Sequence, residues 1–101
     1  MRSLEPRPDA TPMSSVRYTD TFIDGIASIH SEPLLERLDR RLVAIESFPG
    51  LGSSDVRQSL IERYGAGNRK FPVPPFAIIY RYDEQADLID FLALPYEKTV
   101  R

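Results

Sequence analysis

Two cations in the C-terminal third stand where paired charge can do chemistry. Lys70 lies in an alternating stretch, 69–73, in which Phe71 and Val73 share one face and Lys70 takes the other. Arg81 lies in a second such stretch, 76–82. There Phe76, Ile78, Tyr80 and Tyr82 share a face, and Ala77, Ile79 and Arg81 share its opposite. If the aromatic-rich faces form the core, Lys70 and Arg81 stand together on the outer face of neighbouring strands. Two cations so placed can bind a phosphate or an acidic partner. The plainer reading of the same pattern is solvated charge on an exposed face. Arg57, Arg63 and Arg69 border this region, with Asp55 and Glu62 near enough in sequence to neutralise them.

The tail adds a second group. Tyr96, Glu97 and Lys98 place an aromatic hydroxyl, an acid and a base in succession, and Arg101 ends the chain. Such a set can move protons at a phosphodiester if the tail folds over the Lys70–Arg81 face. A frayed polar terminus is the alternative. Asp90, alone in an apolar run, is expected to pair with Arg81. Asp83, Glu84 and Asp87 read as a solubilising loop, and His30 as a helix-junction residue.

Much other chemistry is excluded. No cysteine is present, so disulfides, thiolate metal sites and a cysteine nucleophile are ruled out, and one histidine does not make a zinc site. Gly50, Gly52, Gly65 and Gly67 match neither a phosphate-binding loop nor a dinucleotide fingerprint. No metal and no cofactor are therefore expected. The net charge of -2 and the sequence pI near 5.3 argue against general nucleic-acid binding. No apolar run reaches the length of a membrane span, so the expected location is the cytoplasm.

The elements that must position these side chains follow from periodicity. The 101 residues suit one domain, and an apolar content of 42% supports a packed core. Residues 1–13 carry Pro6, Pro8 and Pro12 and read as a disordered leader, with Met13 expected to be an alternative or true start; the domain spans 14–101. A short strand is predicted over 15–18. A helix follows, capped by Thr19 or Thr21, with Phe22, Ile23 and Ile26 at helical spacing and Gly25 a local cost. Ser31 caps a longer helix whose Leu34, Leu35, Leu38, Leu42 and Ile45 form one stripe, ended by Pro49–Gly50. A third helix is predicted from Asp55 to Tyr64, closed by Gly65. Pro72 marks 69–73 as a short or edge strand, 76–82 is the clearest strand, and 87–94 reads as a central one. The fold class is α+β: an N-terminal strand and an α-helical hairpin packed on a mainly antiparallel sheet of about four strands.

This order of elements, with Asn68-Arg69-Lys70-Phe71-Pro72-Val73, then Phe76-Ala77-Ile78-Ile79-Tyr80-Arg81-Tyr82 and a final apolar strand over 88–94, resembles the RelE/ParE toxin superfamily across 14–101. The resemblance implies a toxin of a type II toxin–antitoxin pair, held inactive in a hetero-oligomer with a cognate antitoxin. RelE-like members cleave mRNA on the ribosome; ParE-like members inhibit DNA gyrase and are not enzymes. Lys70 matches a basic position of the nucleases. Asn68 stands where another lysine is common, and Ala77 where an arginine is usual. Tyr96 and Lys98 match their C-terminal catalytic group only loosely. The missing bases and the acidic pI favour a ParE-like, gyrase-directed reading. The rivals are a RelE-like endoribonuclease, using Lys70, Arg81, Tyr96, Glu97 or Lys98, and an inactive relative that only binds antitoxin. Target or phosphate contacts are expected from Arg69, Lys70, Arg81 and Arg101.

Overall fold

A computed structural model describes residues 14–54 and 58–97. The expected leader, the first turn of the third predicted helix, and the candidates Lys98 and Arg101 lie outside the described residues. The elements run β1 (Ser15–Tyr18), α1 (Asp20–Ala27), α2 (Glu32–Ser47), α3 (Gln58–Tyr64), β2 (Asn68–Val73), β3 (Phe76–Asp83) and β4 (Leu88–Ala93). The fold is α+β, with a four-stranded mixed sheet in the order β1-β4-β3-β2. β1 runs parallel to β4, and the other neighbours are antiparallel. β4 is thus internal, which explains a sequence apolar on both faces apart from Asp90. β2 is an edge strand, which is why Pro72 is tolerated. Part of its outer rim is closed by Ser53, which exchanges two backbone hydrogen bonds of 2.9 Å with Lys70.

The helices start where their caps are. Thr19 accepts from the Phe22 amide and caps α1, while its hydroxyl donates to the Leu92 carbonyl at 2.8 Å, pinning the helix start to β4. Ser31 caps α2 by accepting from the Leu34 amide, and Pro33 sits in the first turn, where its missing N–H costs nothing. Gly25 has a packing reason inside α1. A Cβ there would lie 2.8 Å from Leu94 Cβ, so only glycine lets the helix approach the chain leaving β4. Gly65, at φ +91, ends α3 in the left-handed region.

The core lies between the helices and one face of the sheet. Phe22, Leu38, Leu42 and Ile45 pack with Ile78, Tyr80, Ile89 and Phe91. Each such side chain contributes ~1.5–3 kcal/mol by leaving water. The expected Leu34–Ile45 stripe faces inward, with Leu38, Leu42 and Ile45 buried and Leu34 and Leu35 partly so. An aromatic stack closes the β1 side: Tyr18 lies 5.1 Å from Phe91 and 5.6 Å from Phe22 between ring centres. Tyr80 is fully buried despite its hydroxyl, which donates to the Pro49 carbonyl at 2.7 Å and accepts from the Gly52 amide at 2.8 Å.

Candidate functional site

The face of the sheet turned away from the core carries the predicted charges. Register places Arg81 opposite Asn68 on β2 and Asp90 on β4, and Lys70 opposite Ile79. Directly paired residues point the same way, so Asn68, Lys70, Ile79, Arg81 and Asp90 share this open face. Arg17 joins them from β1, opposite Asp90. At one end the face opens into a cleft of about 620 Å³ whose lining includes Arg17, Arg69, Arg81, Asp83, Glu84 and Asp90.

The cations here are largely engaged. Lys70 Nζ lies 2.6 Å from Glu97 Oε2. The tail reaches that far because it continues β4 along the start of β3: the Ala77 amide donates to Pro95 O at 3.1 Å and the Glu97 amide to Pro75 O at 2.6 Å. Ala77 and Ile79 lie fully buried on this face, so its floor there is apolar. Arg81 donates from one terminal nitrogen to the Tyr64 carbonyl at the end of α3, at 2.9 Å, while its Nε is buried without a hydrogen-bond partner among the described residues. Asn68, buried on the same face, donates to the Leu60 and Gly65 carbonyls and so fastens α3 to β2.

Asp90 departs from expectation. It pairs with Arg17, not Arg81, in a two-pronged bond of 2.6 and 2.9 Å. The physical reason is the parallel insertion of β1 beside β4, which sets Arg17 level with Asp90, while α3 supplies Arg81 with a carbonyl. The carboxylate in turn raises the Arg17 pKa above its ordinary value through this hydrogen bond. No local signal in the sequence marks Arg17. Only the demand of a lone acid in an apolar strand hints that some cation must face it.

The remaining candidates separate. Arg69 alternates with Lys70 and follows the core-side register opposite Tyr80; its guanidinium donates to Gly52 O at 2.8 Å, and the residue lies at the border of the cleft. Tyr96 is exposed and meets Phe76 edge-on, ring centres 5.6 Å apart. Of the tail, the described residue brought to Lys70 is Glu97. Asp87, expected only to solubilise a loop, accepts from Ser14 Oγ at 2.7 Å and from the Tyr82 hydroxyl at 2.8 Å, tying the start of β1 to the β3–β4 loop. These two donors hold its carboxyl below the usual range. Among the described residues, no group of three or more His, Cys, Asp or Glu is placed to hold a metal ion, and no helix is long and apolar enough to cross a membrane.

No family model and no curated protein matches the sequence. Solved structures do match. A RelBE toxin–antitoxin complex from Mycobacterium tuberculosis aligns at a TM-score of 0.66 and 17% identity, over 88% of this chain and 97% of that one. This chain has the RelE toxin fold. The intact E. coli RelBE complex aligns at 0.67 and 9% identity, over 85% and 99% of the two chains. The isolated E. coli RelE toxin aligns at 0.66 and 8% identity, over 87% and 88%. On the face described above, Lys70 is paired with Glu97, and Ala77 and Ile79 beside it are fully buried.

Proposed function

We propose that this chain is the toxin of a type II toxin–antitoxin pair, neutralised by a cognate antitoxin in a cytoplasmic hetero-oligomer. When released, it acts in the ParE-like manner, by binding DNA gyrase. The observation carrying the toxin reading is the RelE fold, matched over nearly the full length of a chain in two RelBE toxin–antitoxin complexes and over 88% of the isolated RelE toxin. The choice of a protein target over RNA is supported by the state of the open face. Phosphodiester cleavage needs a base, a cation at the phosphate and an acid for the leaving oxygen. Here Lys70 is paired with Glu97, Arg17 with Asp90, and Arg81 is bonded to Tyr64. A protein encounter needs a surface and no such set.

One observation favours the RelE-like endoribonuclease as the second reading. Glu97 and Lys70 touch on the open face, so a base and a phosphate-stabilising cation stand side by side. The deciding experiment induces the protein and follows growth, gyrase supercoiling by purified protein, and translation-dependent mRNA cleavage by primer extension. Growth arrest with supercoiling inhibited and no cuts is the expected result. Codon-positioned cuts that vanish in Lys70→Ala, Arg81→Ala and Tyr96→Phe would replace gyrase with the ribosome. Normal growth with neither activity would leave an inactive, antitoxin-binding relative.

A further inference from the structure

Helix α2 divides its surface into three stripes. Leu34, Leu35, Leu38, Leu42 and Ile45 face the core side. Glu32, Glu36 and Asp39 recur at helical spacing on one exposed flank, with Leu35 and Arg40 completing a shallow groove. Arg37, Arg40 and Arg41 gather on the other flank around Ala44, lining a second groove of about 330 Å³. Arg40 borders both.

The arginine flank lacks internal neutralisation. Glu36 and Arg40 stand four apart in the order that favours pairing on a helix, yet neither forms an ion pair among the described residues. Among the described residues, Arg37 makes only a long contact of 3.5 Å to the Pro74 carbonyl. Arg41 lies over the Phe71 ring at 5.6 Å, and its Nε is buried without a hydrogen-bond partner among the described residues. Stacking on an aromatic holds a guanidinium in a fixed orientation, so less freedom is lost when an acid docks on it. All three cations are arginine, the residue whose planar fork takes a carboxylate through two bonds.

We propose that the Arg37–Arg40–Arg41 groove is a protein-docking site that receives an acidic helix of a partner. Three features favour a helix carrying carboxylates over a nucleic-acid backbone. The cationic patch is short and is flanked along the same helix by Glu32, Glu36 and Asp39, which repel a polyanion running past it. The chain is net acidic. Ala44, small and half-buried between the arginines, leaves room for a second helix to approach, and carboxylates one turn apart then meet Arg37 and Arg41 in register. The same partner gains by carrying bases on its adjacent flank, opposite the acidic stripe. This proposal concerns a surface on the helical side of the molecule and is independent of the gyrase-or-ribosome choice made on the open face.

The test uses the full chain, labelled with ¹⁵N, titrated with an alanine-based helical peptide bearing glutamate at every fourth position. The expected result is a shift of the Arg37, Arg40 and Arg41 side-chain NMR signals, with affinity falling roughly tenfold between low and physiological salt. The double variant Arg37→Gln/Arg40→Gln, which keeps Arg41 and its stack on Phe71, should lower affinity by about tenfold or more while the fold is retained. Arg17→Gln, on the other side of the sheet, should leave it unchanged. The proposal is overturned if the shifts map to the open face, if the double variant binds as the wild type does, or if an oligouridylate displaces the peptide from these arginines. Concentration-dependent dimerisation abolished by the double variant would also overturn it, by making a second copy of the chain the occupant.

Discussion

Replacing Tyr80 by Phe removes one oxygen atom from a core that is otherwise unchanged in shape. That oxygen donates to Pro49 O at 2.7 Å and accepts from the Gly52 amide at 2.8 Å. Tyr80 is fully buried and Gly52 is buried as well, so the amide has no ready access to water once its acceptor is gone. A buried group left unpaired costs about 1–3 kcal/mol. Pro49 is only half-buried, and its carbonyl recovers part of its loss from solvent. The sum is about 2–4 kcal/mol, a large share of the stability of a domain this small. With ~4–8 °C of melting temperature per kcal/mol in this size range, the midpoint should fall by roughly 8–32 °C. Burial also pushes the Tyr80 pKa up, so the hydroxyl keeps its donor proton through neutral pH and the effect should persist there. Thermal unfolding by circular dichroism measures the shift, and hydrogen exchange at the Gly52 amide localises it. Tyr82→Phe is the control, since its hydroxyl bonds Asp87 at the surface. An unchanged midpoint for Tyr80→Phe, with the Gly52 amide still protected, would refute the idea that this hydroxyl holds the 49–52 loop.

Leu38→Ala, at a site 2% exposed, should cost about 2–5 kcal/mol in denaturant unfolding; an unchanged midpoint would mean that α2 is turned otherwise. Gly25→Ala should destabilise despite a helix-propensity gain of about 1 kcal/mol, because the new methyl meets Leu94 Cβ at 2.8 Å; a raised melting temperature would show that Leu94 yields. Asp87 should titrate below 3.8, the ordinary value for its carboxyl. Because the folded pKa is depressed, its contribution to stability is complete above that value and is lost as pH falls through the folded one. Ser14→Ala should move the Asp87 titration back up when followed by NMR, and no movement would show that Ser14 is not its partner.

Local pattern was enough for most elements. The Leu34–Ile45 stripe, the Ser31 cap, Pro72 at an edge and the alternation of 76–82 act over a few residues, so the sequence alone placed the described helices and strands and the inward faces of α2 and β3, while the choice of Thr19 over Thr21 as the first cap came from the structure. The same alternation sets Lys70 and Arg81 on one face. What those cations touch was settled by contacts distant in sequence. Arg17 reaches Asp90 because β1 joins the sheet parallel to β4, a pairing across 73 residues that leaves no periodic trace. Arg81 turns to Tyr64 because α3 ends beside β3. Glu97 reaches Lys70 because the tail prolongs β4 along β3. Gly25 reads as a cost within its helix and becomes a requirement only against Leu94. Secondary structure answers to short-range sterics and hydrophobic spacing. The pairing of charges answers to which strands become neighbours, and only the tertiary structure decides that.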